Sequence, residues 1–301
     1  MNTAVSPETT KRPRRLAGAS VGIPPRQLDF RIPEDAPRYF AADNATATTF
    51  MAVLSAFFPP GEDFFVDSVR RFRDRIEDPE LKAQVAGFIG QEAIHGREHE
   101  RLNDMFRARG IDVDVPDRAV RMALAVLERL PARQQLACTT FMEHFTALVG
   151  EQLLEDVHYQ EQLDEEMQQL WLWHALEELE HKAVAYDVYE QVGNRHLERL
   201  LAYPLVAGVM LPAVFASWGW LLAREGRLTD LKDLRKGLAL TIAPKGLIGR
   251  IIPHMGLFAR KDFHPSKRDT TRLEKTWRER LFGKAGTLTD QVRNLAASAM
   301  H

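Results

Sequence analysis

Two Glu-x-x-His sequences, far apart in the chain, restrict its fold more than any other feature. Glu92-Ala-Ile-His95 and Glu178-Leu-Glu-His181 each separate a carboxylate from an imidazole by three positions. On an α-helix this spacing puts both side chains on one face, about one turn apart, so each pair can grip one metal ion. The two sequences therefore favour a helical bundle with metal ligands on facing helices.

Distance along the chain from the connecting turns identifies two further acidic ligands, Glu62 and Glu143. In an antiparallel helix pair, residues at one depth lie equally far from the connecting turn. Glu62 and Glu92 have their midpoint at residue 77, beside the break at Asp78-Pro79, and Glu143 and Glu178 have theirs inside a polar link. We therefore expect all four carboxylates to lie at one depth.

Chance alone supplies roughly one Glu-x-x-His in a chain of this composition, so a third copy needs separate treatment. Glu155 begins that copy, which ends at His158, but it follows Glu143 by twelve residues, about 18 Å along a helix. We therefore exclude it. The candidate metal ligands are Glu62, Glu92, His95, Glu143, His174, Glu178 and His181, with His99 as a further candidate or a surface histidine.

The acidic candidates have no compensating cation nearby in sequence. Between Arg133 and Lys182 there is no Lys or Arg, and Glu143 stands among Phe141, Met142 and Phe145. A carboxylate on a core face needs a partner charge, which a divalent metal ion would supply.

The apolar pattern predicts an all-α fold: a ferritin-like four-helix bundle with additional N-terminal and C-terminal helices. Pro59-Pro60-Gly61 is expected to end the first helical segment, so that Glu62 begins a second one. The other predicted helices run from 80 to 109, from 118 to 130, from 131 towards 158, and from 165 to 193. The predicted division is 1–35 flexible tail, 36–195 di-metal bundle, 196–268 apolar helix and basic segment, and 269–301 C-terminal helical extension.

Composition narrows the function classes. The formal net charge of −2 argues against a nucleic-acid binder, so we expect no nucleic-acid partner. Cys138 is the lone cysteine, which rules out an intramolecular disulfide and a thiolate cluster and suggests a cytoplasmic protein. The basic N-terminus has no apolar run behind it, so we expect no secretory signal.

A membrane contact is the open question about location. Residues 200–223 are uncharged and long enough to cross a hydrocarbon core, although Pro204 and Pro212 are expected to kink a single span. A buried fifth helix or a helix on the membrane surface explains the same composition and is preferred to a span. The basic stretch 227–268 suits either the inner face of a membrane or a solvated surface.

The candidate ligand string resembles that of the di-iron arylamine N-oxygenases, in which the extra histidine on the fourth helix is distinctive. The wider chain, from Phe58-Pro59-Pro60-Gly61-Glu62 to Phe263-His264-Pro265, resembles a bacterial family described as predicted metal-dependent hydrolases. By the first resemblance, Glu62, Glu92 and His95 would serve mainly one ion. His174, Glu178 and His181 would serve mainly the other, with Glu143 available to both.

The resemblances imply an enzyme acting on a small organic substrate, and the apolar segment 200–223 suggests that this substrate is lipophilic. Two iron ions, with Mn or Zn as alternatives, would activate O2 as co-substrate, and an external electron donor would supply electrons. A two-metal hydrolase is the alternative, and a non-catalytic metal-binding or membrane-associated protein is the second alternative. A homodimer is left open.

Overall fold

The computed structural model of the chain describes residues 16–33 and 35–298, and in these ranges it is helical without a named strand. The all-α class is confirmed. The α-helices are α1 (Ala45–Arg70), α2 (Pro79–Ala108), α3 (Asp114–Leu127), α4 (Ala132–Glu155), α5 (Val157–Gln160), α6 (Gln168–His181), α7 (Val184–Gln191), α8 (His196–Arg224), α9 (Leu231–Leu240), α10 (Ile252–Met255), α11 (Thr271–Phe282) and α12 (Leu295–Ser298). Short 3-10 turns lie at Gly18–Val21, Arg73–Arg75, Gly256–Ala259, Pro265–Lys267 and Thr289–Gln291.

Four of these helices form two packed pairs. Helix α1 packs against α2, and α4 packs against α6, while α1 also contacts α4 and α2 also contacts α6. Helix α3 links the two pairs, as the sequence predicts for a crossover. Glu62 and Glu92 are predicted to face each other across one hairpin, and Glu143 and Glu178 across another, which requires the pairing of α1 with α2 and of α4 with α6. That the bundle is ferritin-like stays a prediction.

Helix α1 runs unbroken through Pro59 and Pro60, so the predicted interruption is wrong. A proline in a helix interior cannot donate to the carbonyl four residues before it. For Pro59 that carbonyl belongs to Ser55, and it accepts a hydrogen bond from the side-chain amide of Asn103 at 3.2 Å. A tertiary contact thus replaces the missing backbone bond, and Glu62 lies in the middle of a helix.

The other predicted helices are present, and their bounds differ in detail. Helix α2 ends before Gly110, whose φ of +76° suits a glycine stop. The predicted fourth helix is divided at Lys182 into α6 and α7. The side chain of Lys182 donates to the carbonyl of Arg268 at 2.8 Å. The excluded third motif copy lies at the surface, where both Glu155 and His158 are exposed.

The predicted flexible tail is wrong for residues 16–33, and residues 1–15 lie outside the described residues. Ile23, Arg26, Leu28 and Phe30 are all buried. Leu28 also forms an isolated bridge with Val292 near the C-terminus. Of the C-terminal extension, α11 packs on the bundle through Trp277, which donates to the carbonyl of Leu154 at 3.0 Å, and residues 299–301 lie outside the described residues.

Helix α8 is continuous through Pro204 and Pro212 and lies against α1, α3 and α4. Its inner face carries Trp218 and Leu221, which are buried. In the described part of the chain it is the one helix long and apolar enough to cross a membrane, by length and composition only. Only 17% of its apolar stretch is buried, so α8 is not the buried fifth helix that the sequence offered as one interpretation.

Candidate metal centre

The structure brings all seven predicted ligands together between the two helix pairs. Helix α1 supplies Glu62, α2 supplies Glu92 and His95, α4 supplies Glu143, and α6 supplies His174, Glu178 and His181. Each is at most 4% exposed. Their donor atoms form three groups, within each of which the atoms lie no more than 4.8 Å apart. Seven separated positions thus define one buried centre.

One end of this centre is formed by Glu62, His95 and His174. The distance from His174 Nε2 to Glu62 Oε1 is 3.7 Å. A Cβ on Gly96 would lie 3.1 Å from Glu62 Oε2, so the absence of a side chain at Gly96 leaves the Glu62 carboxylate its space. This end can offer one carboxylate and two imidazoles to an ion.

The other end is formed by Glu92, Glu143 and His181. His181 Nε2 lies 3.0 Å from Glu92 Oε1 and 3.6 Å from Glu143 Oε2. This end can offer two carboxylates and one imidazole. This grouping differs from the division drawn from the resemblance, because His174 lies with Glu62 and His95, and Glu143 lies with Glu92 and His181. Which ion each residue serves stays a prediction.

Two carboxylates lie between the ends. Glu92 turns Oε1 towards His181 and Oε2 towards His95, at 3.0 and 3.8 Å. Glu178 Oε1 lies 2.9 Å from His174 and 3.7 Å from His181. Each of the two carboxylates therefore lies within about 4 Å of histidines at both ends, and each would be available to an ion at either end.

The residues present fit a pair of bound cations. Nine buried donor atoms have no hydrogen-bond partner within the described structure: both oxygens of Glu62, Glu92 and Glu143, Oε2 of Glu178, Nδ1 of His95 and Nε2 of His181. Leaving so many polar atoms unpaired in a core would cost free energy, and metal coordination would satisfy them. Carboxylate and imidazole donors without sulfur suit iron, manganese or zinc.

The electrostatics show the same crowding of negative charge. Burial, with the neighbouring Glu92, raises the pKa of Glu62 and of Glu143 well above the usual carboxyl range. Burial opposes ionisation of Glu92 and Glu178 too, but the charge of His181 lowers the pKa of both. Burial opposes the charged form of His95, but the neighbouring carboxylates of Glu177 and Glu92 outweigh burial and raise the pKa of His95 to about 9.

His99, the further candidate, lies behind the centre and is not one of the grouped donors. Its Nε2 is 2.7 Å from His174 Nδ1, and its Nδ1 is 3.0 Å from Ser55 Oγ. If His174 presents Nε2 to an ion, its Nδ1–H donates to His99, and His99 donates in turn to Ser55. His99 thus orients His174, and it is buried rather than a surface histidine.

Sequence reasoning missed Gln91, which supports the centre from behind. His181 Nδ1 lies 2.9 Å from Gln91 Oε1. The matching partner of His95 is Glu177, whose Oε2 lies 3.1 Å from His95 Nε2. Adjacency to the two Glu-x-x-His sequences is the only signal that the sequence carries for either residue.

The fold and this centre define the class: an all-α protein with a buried set of carboxylates and imidazoles that can hold two metal ions. The chain belongs to the family described as predicted metal-dependent hydrolase, whose family model matches residues 24–269. That description agrees with the alternative reaction predicted from the sequence better than with an oxygenase. No curated protein and no solved structure matched the chain.

Proposed function

We propose that this protein is a dinuclear metal enzyme whose ions are held by Glu62, Glu92, His95, Glu143, His174, Glu178 and His181. The observation that supports this most is the set of nine buried donor atoms without hydrogen-bond partners. Helices, rather than loops, hold every one of the seven side chains, so the geometry is set by the packed bundle.

Metal-dependent hydrolysis is the first candidate reaction, because the family description favours it. Two ions would supply Lewis acidity to a substrate oxygen and to the attacking water. Glu92 and Glu178 would be available to an ion at either end, and Glu177 and Gln91 would keep the His95 and His181 rings oriented. Burial of all seven ligands limits the water that reaches them.

O2-dependent oxidation by two iron ions is the second candidate. It is favoured by the donor set, since a Glu from each of two helices together with Glu-x-x-His from the other two is the pattern of di-iron and di-manganese carboxylate bundles. Iron would supply the electrons for O2 reduction, and an external donor would restore them. A small, lipophilic substrate suits the apolar residues around the centre, such as Phe58, which lies over His174.

The test begins with metal content. The protein is freed of metal and reloaded separately with Fe²⁺, Mn²⁺ and Zn²⁺, and the bound ions are counted. We expect two ions per chain, and loss of binding in Glu178→Gln and His181→Gln. Glu155→Gln and His158→Gln are matched controls, because they change the exposed third copy of the same motif. Equal metal content in all four variants would contradict the assigned ligands.

The reaction is then assigned with the loaded forms. Hydrolysis predicts cleavage of chromogenic carboxylic and phosphate esters by a form that needs no O2. Oxidation predicts O2 consumption by the Fe²⁺ form alone, when a reductant is supplied. Metal binding with neither activity would favour a non-catalytic metal protein.

We also propose that the outward face of α8 contacts a membrane surface at the inner leaflet. Leu201, Leu211 and Phe215 are each about half exposed, and the helix carries no charge from 200 to 223. Cosedimentation with anionic vesicles tests this proposal, with Leu211→Glu and Phe215→Glu expected to abolish it. Vesicle binding that is unchanged in both variants would contradict a role for this face.

A further inference from the structure

Arg26 connects the N-terminal segment to the support of both metal-binding histidines. Its side chain is buried, and it donates to Glu177 Oε1 at 2.6 Å. It also donates to the two oxygens of Glu180 at 2.8 Å each. The side chains of Glu177 and Glu180 are fully buried. One guanidinium therefore holds two acidic residues of α6 that are not among the proposed ligands.

Each of these acidic residues leads to a different proposed ligand. Glu177 contacts His95 directly, through Oε2 and Nε2. Glu180 accepts from Gln91 Nε2 at 2.9 Å, and Gln91 Oε1 contacts His181 Nδ1. Arg26 is thus linked through one side chain to His95 and through two side chains to His181.

The direction of these hydrogen bonds fits metal binding at both rings. His95 turns Nδ1 and His181 turns Nε2 towards the carboxylates, and both atoms lack hydrogen-bond partners in the described structure. The ring protons then belong on His95 Nε2 and His181 Nδ1, where Glu177 and Gln91 accept them. Such partners fix the tautomer and orientation of a metal-binding histidine.

The backbone that carries Arg26 is seated by two glycines of α2. A Cβ on Gly90 would lie 2.6 Å from Pro25, and a Cβ on Gly87 would lie 2.5 Å from the carbonyl oxygen of Ile23. Any larger residue would lift the segment from the helix. Gln91 also donates to the carbonyl of Pro24 at 3.3 Å, so the same side chain that supports His181 helps to seat the segment.

Glu177 and Glu180 differ in the number of their cationic partners. Glu180 has a second cationic partner, Arg278, which donates to its Oε1 at 2.6 Å. In the described structure, Glu177 is paired with Arg26 and with no other Lys or Arg. Loss of Arg26 would therefore leave Glu177 as a buried, unpaired charge beside His95, while Glu180 would keep Arg278.

We propose that Arg26 is a positioning residue for the metal centre, and that the N-terminal segment 23–30 completes that centre. The inference rests on the proposed metal site. Arg26 orients both histidines, and it acts mainly on His95, hence on the ion at the end formed with Glu62 and His174. A lysine cannot replace it fully, because one ammonium does not span two carboxylates as the planar guanidinium does.

The test compares Arg26→Gln and Arg26→Lys with Arg31→Gln. Arg31 directly follows this segment, but its side chain is 77% exposed and pairs only with the exposed Asp290 among the described residues. Full-length protein is titrated with Co²⁺ against a chromophoric chelator, and the visible absorption of bound Co²⁺ is recorded. We expect one of the two ions to bind about 10–100-fold more weakly in Arg26→Gln. We expect a smaller loss in Arg26→Lys and none in Arg31→Gln.

The outcomes separate this inference from the metal site itself. If both ions bind Arg26→Gln and Arg26→Lys with wild-type affinity and spectrum, Arg26 is not a positioning residue, even if stability falls. If Arg26→Gln does not fold, Arg26→Lys keeps the charge and decides the question by the same titration. If wild-type protein binds no Co²⁺, the metal site itself is wrong. A loss confined to one ion in the lysine variant supports the inference.

Discussion

The continuity of α1 through its two prolines gives a prediction about Asn103. This side chain is 2% exposed; its amide donates to the carbonyl of Ser55, and its oxygen accepts from Ser55 Oγ at 2.8 Å. Asn103→Ala removes both contacts. The carbonyl of Ser55, to which Pro59 has no N–H to donate, then loses its donor from Asn103. An unsatisfied buried group costs about 1–3 kcal/mol, against a gain of about 0.5 kcal/mol in helix propensity. We therefore expect a net loss of about 0.5–2.5 kcal/mol in the free energy of unfolding.

A double-mutant cycle isolates the contact to the carbonyl. Pro59→Ala restores a backbone N–H that can reach Ser55, so Asn103→Ala should cost about 1 kcal/mol less in that background. Pro60→Ala is the matched control. Pro60 leaves the carbonyl of Ala56 without a helical donor, and Asn103 donates to Ser55 rather than to Ala56. The cost of Asn103→Ala should therefore be the same in the Pro60→Ala background as in the wild type.

Urea unfolding of the metal-free protein measures these differences, because Asn103 is linked through Ser55 to His99 and bound metal would add its own term. Equal costs of Asn103→Ala in the wild-type and Pro59→Ala backgrounds, within about 0.5 kcal/mol, would refute the reasoning. So would a coupling of the same size with Pro60→Ala. Either result would mean that packing alone carries the helix through the prolines.

Three further predictions concern single positions. Gly96→Ala should weaken metal binding by crowding Glu62, whereas Gly61→Ala, whose Cβ meets nothing within 4 Å, should stabilise α1 by about 1 kcal/mol in urea unfolding without changing metal affinity. Burial raises the pKa of Cys138 to about 12, so a thiol reagent should label it only on unfolding, and fast labelling of native protein would contradict its burial. A hydrogen bond to an aspartate raises the pKa of His264, so its stabilisation is complete below its ordinary pKa and is lost as pH rises through the raised value. His264→Gln should therefore cost more at pH 6 than at pH 9, and a cost independent of pH would contradict the ion pair.

The sequence predicts that the candidate residues converge, because helical spacing and distance from a turn can both be counted along the chain. Glu92 and His95 share a face by spacing alone, and the depth shared with Glu143 follows from the midpoint of its hairpin. What the sequence could not predict depends on contacts between distant segments. Asn103 lies 44 residues beyond Pro59, so nothing near the prolines signals that the helix continues. The richness of residues 1–35 in Pro, Arg and Ala predicts a flexible tail around Arg26, yet two glycines of α2 seat this segment.

The charges of the described residues support the proposal that the centre holds two ions. Behind the centre, the carboxylates of Glu177 and Glu180 are paired with Arg26 and Arg278, and Arg278 is also paired with Glu274. Within the centre, the ion-pair contacts of the four carboxylates are to histidines rather than to Lys or Arg. With neutral imidazoles those carboxylates carry −4, which two divalent ions cancel. With a single ion, two carboxylates would need protons to be neutral, as the raised pKa values of Glu62 and Glu143 allow, whereas a second ion would neutralise them in place of those protons.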